Sequence, residues 1–312
     1  MIAFIFPGQG SQKAGMGRAL ADAYPICRET FAEADAALGE PLSRLIFDGP
    51  DDVLTLTENA QPAILAVSTA AARLLASRGI APSFVAGHSL GEYSANVAAG
   101  TFAFADALRL VRRRGRYMQE AVPAGHGAMA AVLGLEADRV TQACADAGNG
   151  EVVSPANMNG AGQVVIAGTS AAVARAGERA KALGARRVIP IPVSAPFHCA
   201  LMKPAEDRLA PELRAIAART PRVPIVANVD GEPKRTAADA IEALVAQVSS
   251  PVRWDAVVAR LASEGVTTYV EVGPGTVLSG LVRKIERAAA VVSFGSPDAL
   301  AAVEAAAGSR AT

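Results

Sequence analysis

The sequence predicts an α/β fold, because apolar runs typical of buried strands alternate with helix-like segments along most of the chain. Such alternation favours a largely parallel sheet covered by helices. In addition, residues 125–192 follow the order β-α-β-β-α-β, which is the split βαβ arrangement of ferredoxin-like domains. With 312 residues and 51% hydrophobic content, the chain is long enough to bury a large core beside such an insert.

The first part of the chain is predicted to supply two strands and three helices. The run Ile2–Phe6 is continuously apolar and ends at the turn sequence Pro7-Gly8-Gln9-Gly10, so it is predicted to be a buried strand. The other predicted elements in this part are helix 63–78, strand 83–87, helix 90–99 and helix 105–120, the last with a basic face.

Residues 125–195 are predicted to form a small domain inserted between two parts of a larger α/β core, 1–124 and 196–312. The sequence Asn159-Gly160-Ala161-Gly162 is a strong hairpin signal between two of its strands. The predicted strands of the insert are 128–133, 152–157, 163–168 and 187–193, and its predicted helices are 136–147 and 170–183.

After the insert, the pattern returns to that of the core. The predicted elements are helix 200–220, strand 223–228, helices 237–248 and 254–264, and strand 268–272, which ends at Gly273-Pro274-Gly275. The tail from about residue 288 is alanine-rich and weakly specified, and no internal repeat is visible.

Composition excludes several classes of function. The 30 basic and 30 acidic residues cancel and aromatic residues are only 4%, so a nucleic-acid-binding surface is not expected. The three cysteines are far apart and form neither a metal-binding pattern nor a disulfide framework, which fits a reducing compartment. Residues 1–6 lack a charged leader, and no apolar run reaches membrane-spanning length. We therefore expect a soluble cytoplasmic protein without a metal or cofactor.

The most informative motif is Gly87-His88-Ser89-Leu90-Gly91, which has the G-x-S-x-G pattern of a nucleophile elbow. A serine on so tight a strand-to-helix turn needs neighbours without a Cβ, and the helix that follows presents backbone N–H groups to a developing oxyanion. The alternative is structural, since Ser89 and Glu92 also fit the S-x-x-E capping box of a helix.

A nucleophilic serine needs a base, and the chain has three histidines. His88 adjoins the serine and is better placed to shape the elbow, whereas His126 lies in a glycine-rich loop and is expected to be solvated. His198 lies where the insert rejoins the core, and it is the favoured base, although a buried structural role is the alternative. No acidic residue stands out to orient it, so a backbone carbonyl or an amide side chain could take that part in a dyad.

Two further segments are candidates for the site. Gln9 follows the first predicted strand, and loops at the carboxyl ends of parallel strands line the ligand crevice. This loop lacks the residues of a phosphate-binding or dinucleotide-binding motif, so a contribution to an oxyanion hole is favoured. In Arg112-Arg113-Arg114, successive side chains point about 100° apart on a helix. One guanidinium is therefore expected to face inward and bind a carboxylate-bearing acyl group.

Eight motifs in order give the chain a specific resemblance to the malonyl-CoA:acyl carrier protein transacylase family, over residues 1 to about 285. They are Phe6-Pro7-Gly8-Gln9-Gly10-Ser11-Gln12, Glu58-Asn59-Ala60-Gln61-Pro62-Ala63, Gly87-His88-Ser89-Leu90-Gly91-Glu92, Arg114-Gly115-Arg116-Tyr117-Met118-Gln119, Asn157-Met158-Asn159, Phe197-His198-Cys199-Ala200-Leu201-Met202, Ser250-Pro251-Val252-Arg253-Trp254 and Glu271-Val272-Gly273-Pro274-Gly275. The resemblance implies a hydrolase-like α/β core that carries a ferredoxin-like insert.

The resemblance also implies roles for individual residues. Ser89 would be acylated, His198 would activate it, and Arg114 would bind the malonyl carboxylate. Gln9 and the Leu90 N–H would form the oxyanion hole. The remaining implied roles are the orientation of His198 by the main chain of Gln247, contacts of Gln61 and Asn157 with the acyl pocket, and a preference of Phe197 for malonyl over methylmalonyl through its bulk.

The implied function is transfer of a malonyl group from malonyl-CoA to acyl carrier protein, by an enzyme expected to be monomeric. Three alternatives stay open at this point. They are a hydrolase of acyl-CoA or acyl carrier protein with the same fold, an acyltransferase that serves a polyketide synthase or a malonate decarboxylase, and a non-enzymatic scaffold in which Ser89 only caps a helix. Arg112, Arg113 and Arg116 are candidates for docking an acidic carrier protein.

Overall fold

The computed structural model describes residues 1–123, 125–193 and 195–308. These residues form two sheets, and helices cover the larger sheet. The strands, in chain order, are β1 (Ile2–Phe6), β2 (Phe84–Gly87), β3 (Gly127–Leu133), β4 (Val153–Met158), β5 (Gln163–Thr169), β6 (Arg187–Ile191), β7 (Ile225–Val226), β8 (Pro233–Lys234), β9 (Thr268–Val272) and β10 (Ala290–Phe294).

The larger sheet has the order β10-β9-β1-β2-β7-β8 and is parallel except for β8. Strands β1, β2 and β9 are buried along nearly their whole length, as expected for central strands of a parallel sheet. The carboxyl ends of β1 and β2 lie side by side, since Phe6 pairs with Gly87. This edge places the loop after β1 next to Ser89, which directly follows β2 and His88.

The smaller sheet is antiparallel throughout and has the order β4-β5-β3-β6. This is the strand order of a ferredoxin-like domain, so the predicted fold class, an α/β hydrolase-like core with an inserted βαββαβ unit, is confirmed. Strand β4 also reaches the core, because the Met158 N–H donates to the Val252 carbonyl at 2.8 Å and Val252 donates back to Ala156 at 2.8 Å. The exact division at 1–124, 125–195 and 196–312 stays a prediction.

The helices cover both faces of the larger sheet and one face of the smaller. They are α1 (Arg18–Ala23), α2 (Pro25–Leu38), α3 (Leu42–Asp48), α4 (Asp51–Thr55), α5 (Thr57–Ser77), α6 (Leu90–Ala99), α7 (Phe104–Glu120), α8 (Ala137–Ala147), α9 (Ser170–Ala182), α10 (Lys203–Ala215), α11 (Ala237–Gln247), α12 (Trp254–Ser263), α13 (Val277–Ile285) and α14 (Leu300–Gly308). Short 3₁₀ turns precede α10 (Ala200–Met202) and α14 (Pro297–Ala299).

Helix α5 is the central helix of the main hydrophobic core. It is buried on nearly all sides from Ala60 to Leu75, packed against α2, α6 and α7. A helix that is apolar all round is typical of such a central position. Within the described ranges, no helix combines the length and the apolarity needed to cross a bilayer.

Two predicted elements after the insert are shorter in the structure than in the prediction. The predicted helix 200–220 begins as a 3₁₀ turn and ends at Ala215, because the chain then pairs with the loop after α6 through the Phe102–Ala218 bridge. The predicted strand 223–228 is reduced to β7, since the Pro224 residue that precedes it has no N–H to donate to the ladder. Alanine-rich composition favoured a longer helix locally, and tertiary pairing overrides it.

The prediction of a weakly specified tail from residue 288 is wrong. Strand β10 pairs in parallel with β9 over five positions, and Phe294 at its end is fully buried. Helix α5 also begins six residues earlier than predicted and includes Pro62 within its second turn. Helices α1 to α4, α13 and α14 were not predicted. All of them except α2, which has 14 residues, have nine residues or fewer, too few for the long apolar periodicity that identifies a helix from sequence.

Candidate active site

Ser89 lies at the turn between β2 and α6, in a backbone conformation that residues other than glycine rarely adopt. Its φ is 52° and its ψ is −108°, in contrast to the extended residues before it and the helical residues after it. The turn is possible because its neighbours are glycines. A Cβ on Gly87 would lie 1.9 Å from the Gly91 carbonyl carbon, and a Cβ on Gly91 would lie 2.0 Å from the Phe6 carbonyl oxygen. The geometry is that of a nucleophile elbow.

Replacing Gly91 with alanine is expected to disrupt the elbow and the sheet beneath it. The new methyl group would collide with backbone, which cannot move aside as a flexible side chain can. We expect Gly91→Ala to lose more than about 4 kcal/mol of unfolding free energy or to accumulate as insoluble protein. Chemical denaturation and soluble yield measure this.

Gly280→Ala is the matched control for that substitution. Gly280 lies within α13, and nothing is within 4 Å of a Cβ built there. The same change in a helix interior should therefore leave stability unchanged or raise it by about 0.5–1 kcal/mol. Equal behaviour of the two variants would contradict the steric account of the elbow.

The alternative in which Ser89 and Glu92 form a capping box is wrong. The Ser89 side chain makes no capping hydrogen bond to α6. The Glu92 carboxylate does not reach back to the Ser89 N–H, which donates instead to Asn228 Oδ1 at 2.7 Å. Glu92 Oε2 accepts from the Asn228 N–H at 3.0 Å and from Gln247 Nε2 at 2.8 Å. The serine hydroxyl is thus left available for chemistry.

Ser89 Oγ lies 2.6 Å from His198 Nε2, although 109 residues separate the two in the chain. His198 Nδ1 lies 2.9 Å from the backbone carbonyl of Gln247, which is only an acceptor. Nδ1 must therefore carry the ring proton, and Nε2 is left bare to accept the serine proton. A main-chain carbonyl takes the place that a carboxylate holds in a Ser-His-Asp triad.

The environment of His198 keeps its imidazole neutral. The pKa of His198 is lowered to about 3, chiefly by burial and also by the Arg114 charge, while the hydrogen bond to the Gln247 carbonyl acts in the opposite direction. The backbone of His198 has a φ of 59°, which is unusual for a residue other than glycine. An imidazole that is unprotonated near neutral pH and fixed in one tautomer is suited to act as a general base.

Arg114 is the arginine that faces inward, as predicted for one of the three in Arg112-Arg113-Arg114. It is 1% exposed, whereas the Arg113 side chain is 52% exposed and paired with Glu212. Arg114 Nη2 donates to Ser89 Oγ at 3.2 Å and to Gln247 Oε1 at 3.0 Å, and Nη1 donates to Gln61 Oε1 at 2.8 Å. Its guanidinium thus lies directly beside the candidate nucleophile.

No carboxylate in the described part of the chain lies within ion-pair distance of Arg114. The acceptors around it are neutral amide and hydroxyl oxygens, and its Nε is buried without a hydrogen-bond partner among these residues. The guanidinium also lies over the Tyr93 ring, 5.2 Å from the centroid. Burial lowers the pKa of Arg114 from its ordinary value. A buried cation without a paired anion is costly, and an anionic ligand would relieve that cost.

Sequence reasoning missed the residues that hold this arrangement together. Asn228 fixes the elbow from beyond the insert, since its Nδ2 donates to the Gly87 carbonyl at 2.7 Å and its Oδ1 accepts from Ser89. Glu92 was considered only as part of a cap. The Gln247 side chain, and not only its main chain, contacts the site, because its Nε2 donates to the Ser89 carbonyl at 3.1 Å. Of these residues, only Asn228 could have been suspected from the sequence, because it is a polar residue at the carboxyl end of a predicted strand.

The two predicted oxyanion donors lie at the same edge of the sheet as Ser89. Leu90 is the first residue of α6, where a helical N–H has no intrahelical acceptor. Gln9 follows Gly8, and a Cβ on Gly8 would be 2.5 Å from the His88 carbonyl oxygen, so this loop packs directly on the elbow. The Gln9 side chain donates from Nε2 to Thr57 Oγ1 at 3.2 Å.

The other predicted residues lie around this centre. His88 Nε2 is 3.0 Å from Asn159 Oδ1 on the β4–β5 hairpin and 3.4 Å from Asn157 Nδ2, so His88 connects the elbow to the insert. Gln61 contacts the site through Arg114. Phe197 is almost fully buried and packs in the main core, and His126 is exposed as predicted. Among the described residues, no cluster of three His, Cys, Asp or Glu side chains could hold a metal ion.

A serine on a strained turn, hydrogen-bonded to a neutral imidazole and followed by the first N–H of a helix, is the arrangement of enzymes that transfer acyl groups through a covalent intermediate. Comparison with known proteins agrees. Residues 3–302 match the acyl transferase domain family. The chain belongs to this family.

The relatives are similar over almost their whole length. A malonyl CoA-acyl carrier protein transacylase from Escherichia coli is 53% identical over 303 residues, which cover 96% of this chain and 98% of the relative. An acyl carrier protein S-malonyltransferase from Vibrio cholerae has a solved structure with a TM-score of 0.95, 48% identity and coverage of 97% and 99%. A malonyl-transacylase, PlMCAT, solved in complex with AntF, a type II PKS acyl-carrier protein, has a TM-score of 0.95, 46% identity and coverage of 99% of each chain.

Proposed function

We propose that this acyltransferase moves a malonyl group from malonyl-CoA to the phosphopantetheine thiol of acyl carrier protein, through a malonyl ester on Ser89. The observation that carries the proposal is Arg114, a buried guanidinium that donates to Ser89 Oγ and has no ion-pair partner among the described residues. An acyl group with its own carboxylate would supply the missing anion. The names of the relatives at about 50% identity support the same substrate pair.

In the first half-reaction, Ser89 Oγ attacks the thioester carbonyl of malonyl-CoA while its proton passes to His198 Nε2. The backbone N–H groups of Leu90 and Gln9 stabilise the tetrahedral oxyanion. The C–S bond then breaks, and His198 returns the proton to the departing CoA sulfur. The products are malonyl-Ser89 and free CoA, so the protons and electron pairs balance.

The second half-reaction reverses these roles with a different thiol. His198 takes the proton of the phosphopantetheine thiol, and the sulfur attacks the malonyl-Ser89 carbonyl. When the ester bond breaks, the proton returns to Ser89 Oγ. The Gln247 carbonyl keeps the imidazole in one tautomer in both directions. Gln61 fixes Arg114, and Asn157 and Phe197 are proposed to line the acyl pocket, with Phe197 restricting branching at the α carbon.

Two other activities use the same chemistry. A hydrolase differs only in that water reaches the acyl ester, and Arg114 argues against it, because a hydrolase for uncharged acyl groups has no use for a carboxylate clamp. Transfer to a polyketide carrier protein is the second candidate, since PlMCAT is bound to a type II PKS acyl-carrier protein.

Arg112, Arg113 and Arg116 remain candidates for docking the carrier. Each is paired with an acidic residue of the protein itself, in the pairs Arg112–Glu40, Arg113–Glu212 and Arg116–Glu58. We also propose a cytoplasmic monomer that binds neither nucleic acid nor membrane.

The test is to incubate the enzyme with malonyl-CoA and a panel of holo carrier proteins, from fatty acid and polyketide systems. Malonyl-carrier protein is measured by intact mass and released malonate is measured separately. The proposal requires that carrier acylation far exceed hydrolysis with at least one fatty acid carrier. Release of malonate as the main product would establish the hydrolase instead.

The pKa of His198 leads to an expected pH dependence. Because the base must be neutral and its pKa is lowered to about 3, its active form persists as the pH falls through the mildly acidic range. We expect acylation of Ser89 by acetyl-CoA to be about equally fast at about pH 5 and pH 7, whereas a base with an ordinary pKa would lose roughly 25-fold. Quenched-flow acylation measures this. An acid limb centred near the ordinary histidine pKa would contradict the environment described for His198.

A further inference from the structure

Glu92 and Arg114 are both buried at about 1% exposure, and one side chain joins them. The Gln247 amide donates from Nε2 to Glu92 Oε2 at 2.8 Å and accepts at Oε1 from Arg114 Nη2 at 3.0 Å. A carboxyl group and a guanidinium are thus connected through a single amide, with the candidate nucleophile on the Arg114 side. Glu92 takes no part in the bond-making and proton-transfer steps of the two half-reactions.

The orientation of the Gln247 amide depends on Glu92. A carboxylate accepts and a guanidinium donates, so only one amide orientation satisfies both neighbours. That orientation also directs Nε2 to the Ser89 carbonyl at 3.1 Å. Because the same amide accepts from Arg114, a change at Glu92 would be transmitted through Gln247 to the cation that faces the acyl group. Gln247 further holds His198 through its main chain.

We propose that Glu92 is the resident counter-anion of Arg114, acting through Gln247, and that the substrate carboxylate takes over this role when the acyl group binds. Glu92 is then a positioning residue that determines specificity for charged acyl groups. The inference rests on the proposed function, because it requires that the acyl carboxylate bind Arg114. Two anions would compete for one buried cation, so the ionised form of Glu92 would oppose the malonyl carboxylate.

The charged and titratable groups around Glu92 come from several elements. Arg114 faces it from α7, Tyr93 adjoins it on α6, and Asp230 and Lys234 face it from the β7–β8 turn and β8. His198 is held on the far side of Gln247. The pKa of Glu92 is raised to about 7, chiefly by burial; Asp230 also raises it, whereas the hydrogen bonds from Asn228 and Gln247 and the charge of Lys234 act in the opposite direction. The charge of the Glu92 carboxyl therefore changes within the pH range in which the enzyme can be assayed.

The sign of the expected effect follows from linkage. Below about pH 7, Glu92 is protonated and Arg114 is free to attract the malonyl carboxylate. Above that pH, Glu92 is ionised and weakens the attraction. By reciprocity, a bound malonyl group raises the pKa of Glu92 further, so that malonyl binding is accompanied by proton uptake. Acetyl groups, which lack the carboxylate, should show neither effect.

The variant Glu92→Gln separates charge from shape. Both hydrogen bonds to Glu92 end at Oε2, so a glutamine with its oxygen at that position keeps the bonds from Asn228 and Gln247. The control is Glu271→Gln. Glu271 is also fully buried, but it accepts at both carboxylate oxygens, from the N–H groups of Leu278 and Ser279, so this variant controls for the loss of a buried negative charge and loses one hydrogen bond in addition. It lies on β9 and makes no described contact with Arg114 or Gln247.

The experiment measures kcat and KM for malonyl-CoA with a holo carrier protein from about pH 5.5 to about pH 8.5. In the native enzyme and in Glu271→Gln, we expect the malonyl KM to rise on the order of fivefold across this range. In Glu92→Gln the KM should stay at the low value found at acidic pH, with kcat changed by less than about twofold. A KM profile in Glu92→Gln that matches the native profile would overturn the inference.

A second measurement needs no variant and covers the case in which Glu92→Gln does not fold. The native enzyme is mixed with stoichiometric malonyl-CoA or acetyl-CoA near pH 7 in weak buffer with an indicator dye. Uptake of a fraction of a proton with malonyl-CoA, and none with acetyl-CoA, is expected. Equal signals would overturn the inference while malonyl-Ser89 still formed. If malonyl-CoA left no adduct at all, the proposed function itself would fail.

Discussion

Ser89→Ala is expected to abolish the covalent intermediate and to lower malonyl transfer on the order of 10⁴-fold or more. The hydroxyl oxygen lies 2.6 Å from His198 Nε2 and accepts from Arg114 Nη2 at 3.2 Å. The measurement is intact mass after incubation with malonyl-CoA. The native protein should gain one malonyl group, and Ser89→Ala should gain none.

Ser263→Ala is the control for this change, because it removes the same hydroxyl from an exposed residue at the end of α12. It should be malonylated as fully as the native protein. A malonyl adduct on Ser89→Ala, located to another residue by peptide mapping, would show that the elbow serine is not the nucleophile. Absence of any adduct on the native protein would favour the scaffold alternative.

Arg114→Ala is expected to weaken malonyl transfer and to favour acetyl relative to malonyl groups. Without the guanidinium, the malonyl carboxylate would be buried beside Gln61 and Gln247 without a counter-ion. We expect a loss of about 3 kcal/mol, or ~10²-fold, in kcat/KM for malonyl-CoA. Acetyl-CoA should change by less than about threefold, since it forms no such pair. Parallel assays of the two substrates measure this ratio.

Arg113→Ala controls for the loss of a positive charge from the same helix. Its side chain is half exposed and paired with Glu212, so its removal should leave the malonyl-to-acetyl ratio unchanged. Arg114→Met fills most of the vacated volume and separates the loss of charge from the creation of a cavity. Equal losses for malonyl and acetyl in both Arg114 variants would refute the role of Arg114 in selecting the acyl group.

Local patterns in the sequence were enough to predict most of the fold and the elbow that carries Ser89. Glycines at both sides of Ser89 identify an elbow, because only they fit so tight a turn. The β-α-β-β-α-β order of the insert was visible in the periodicity of short segments. The inward orientation of one arginine followed from helical geometry alone. These are features in which neighbouring residues carry the information.

The remaining features depend on contacts between distant residues. Glu92 meets Gln247 across 155 positions, and Asn228 meets Ser89 across 139. Nothing near Glu92 in the sequence distinguishes a cap from a buried carboxyl group, and the capping pattern favoured the wrong alternative. Strand β10 was missed for the same reason, because its partner β9 and not its alanine-rich neighbourhood determines its conformation.

The hydrogen bond between His88 and Asn159 has a consequence for how reactivity first arises in the newly made chain. The Ser89 hydroxyl is synthesised early, whereas the His198 imidazole that contacts it follows the whole insert, whose hairpin bearing Asn159 packs against the elbow through His88. A partly assembled chain therefore holds the hydroxyl without its activator. Chemical competence also requires Gln247, which holds the imidazole and is synthesised later still.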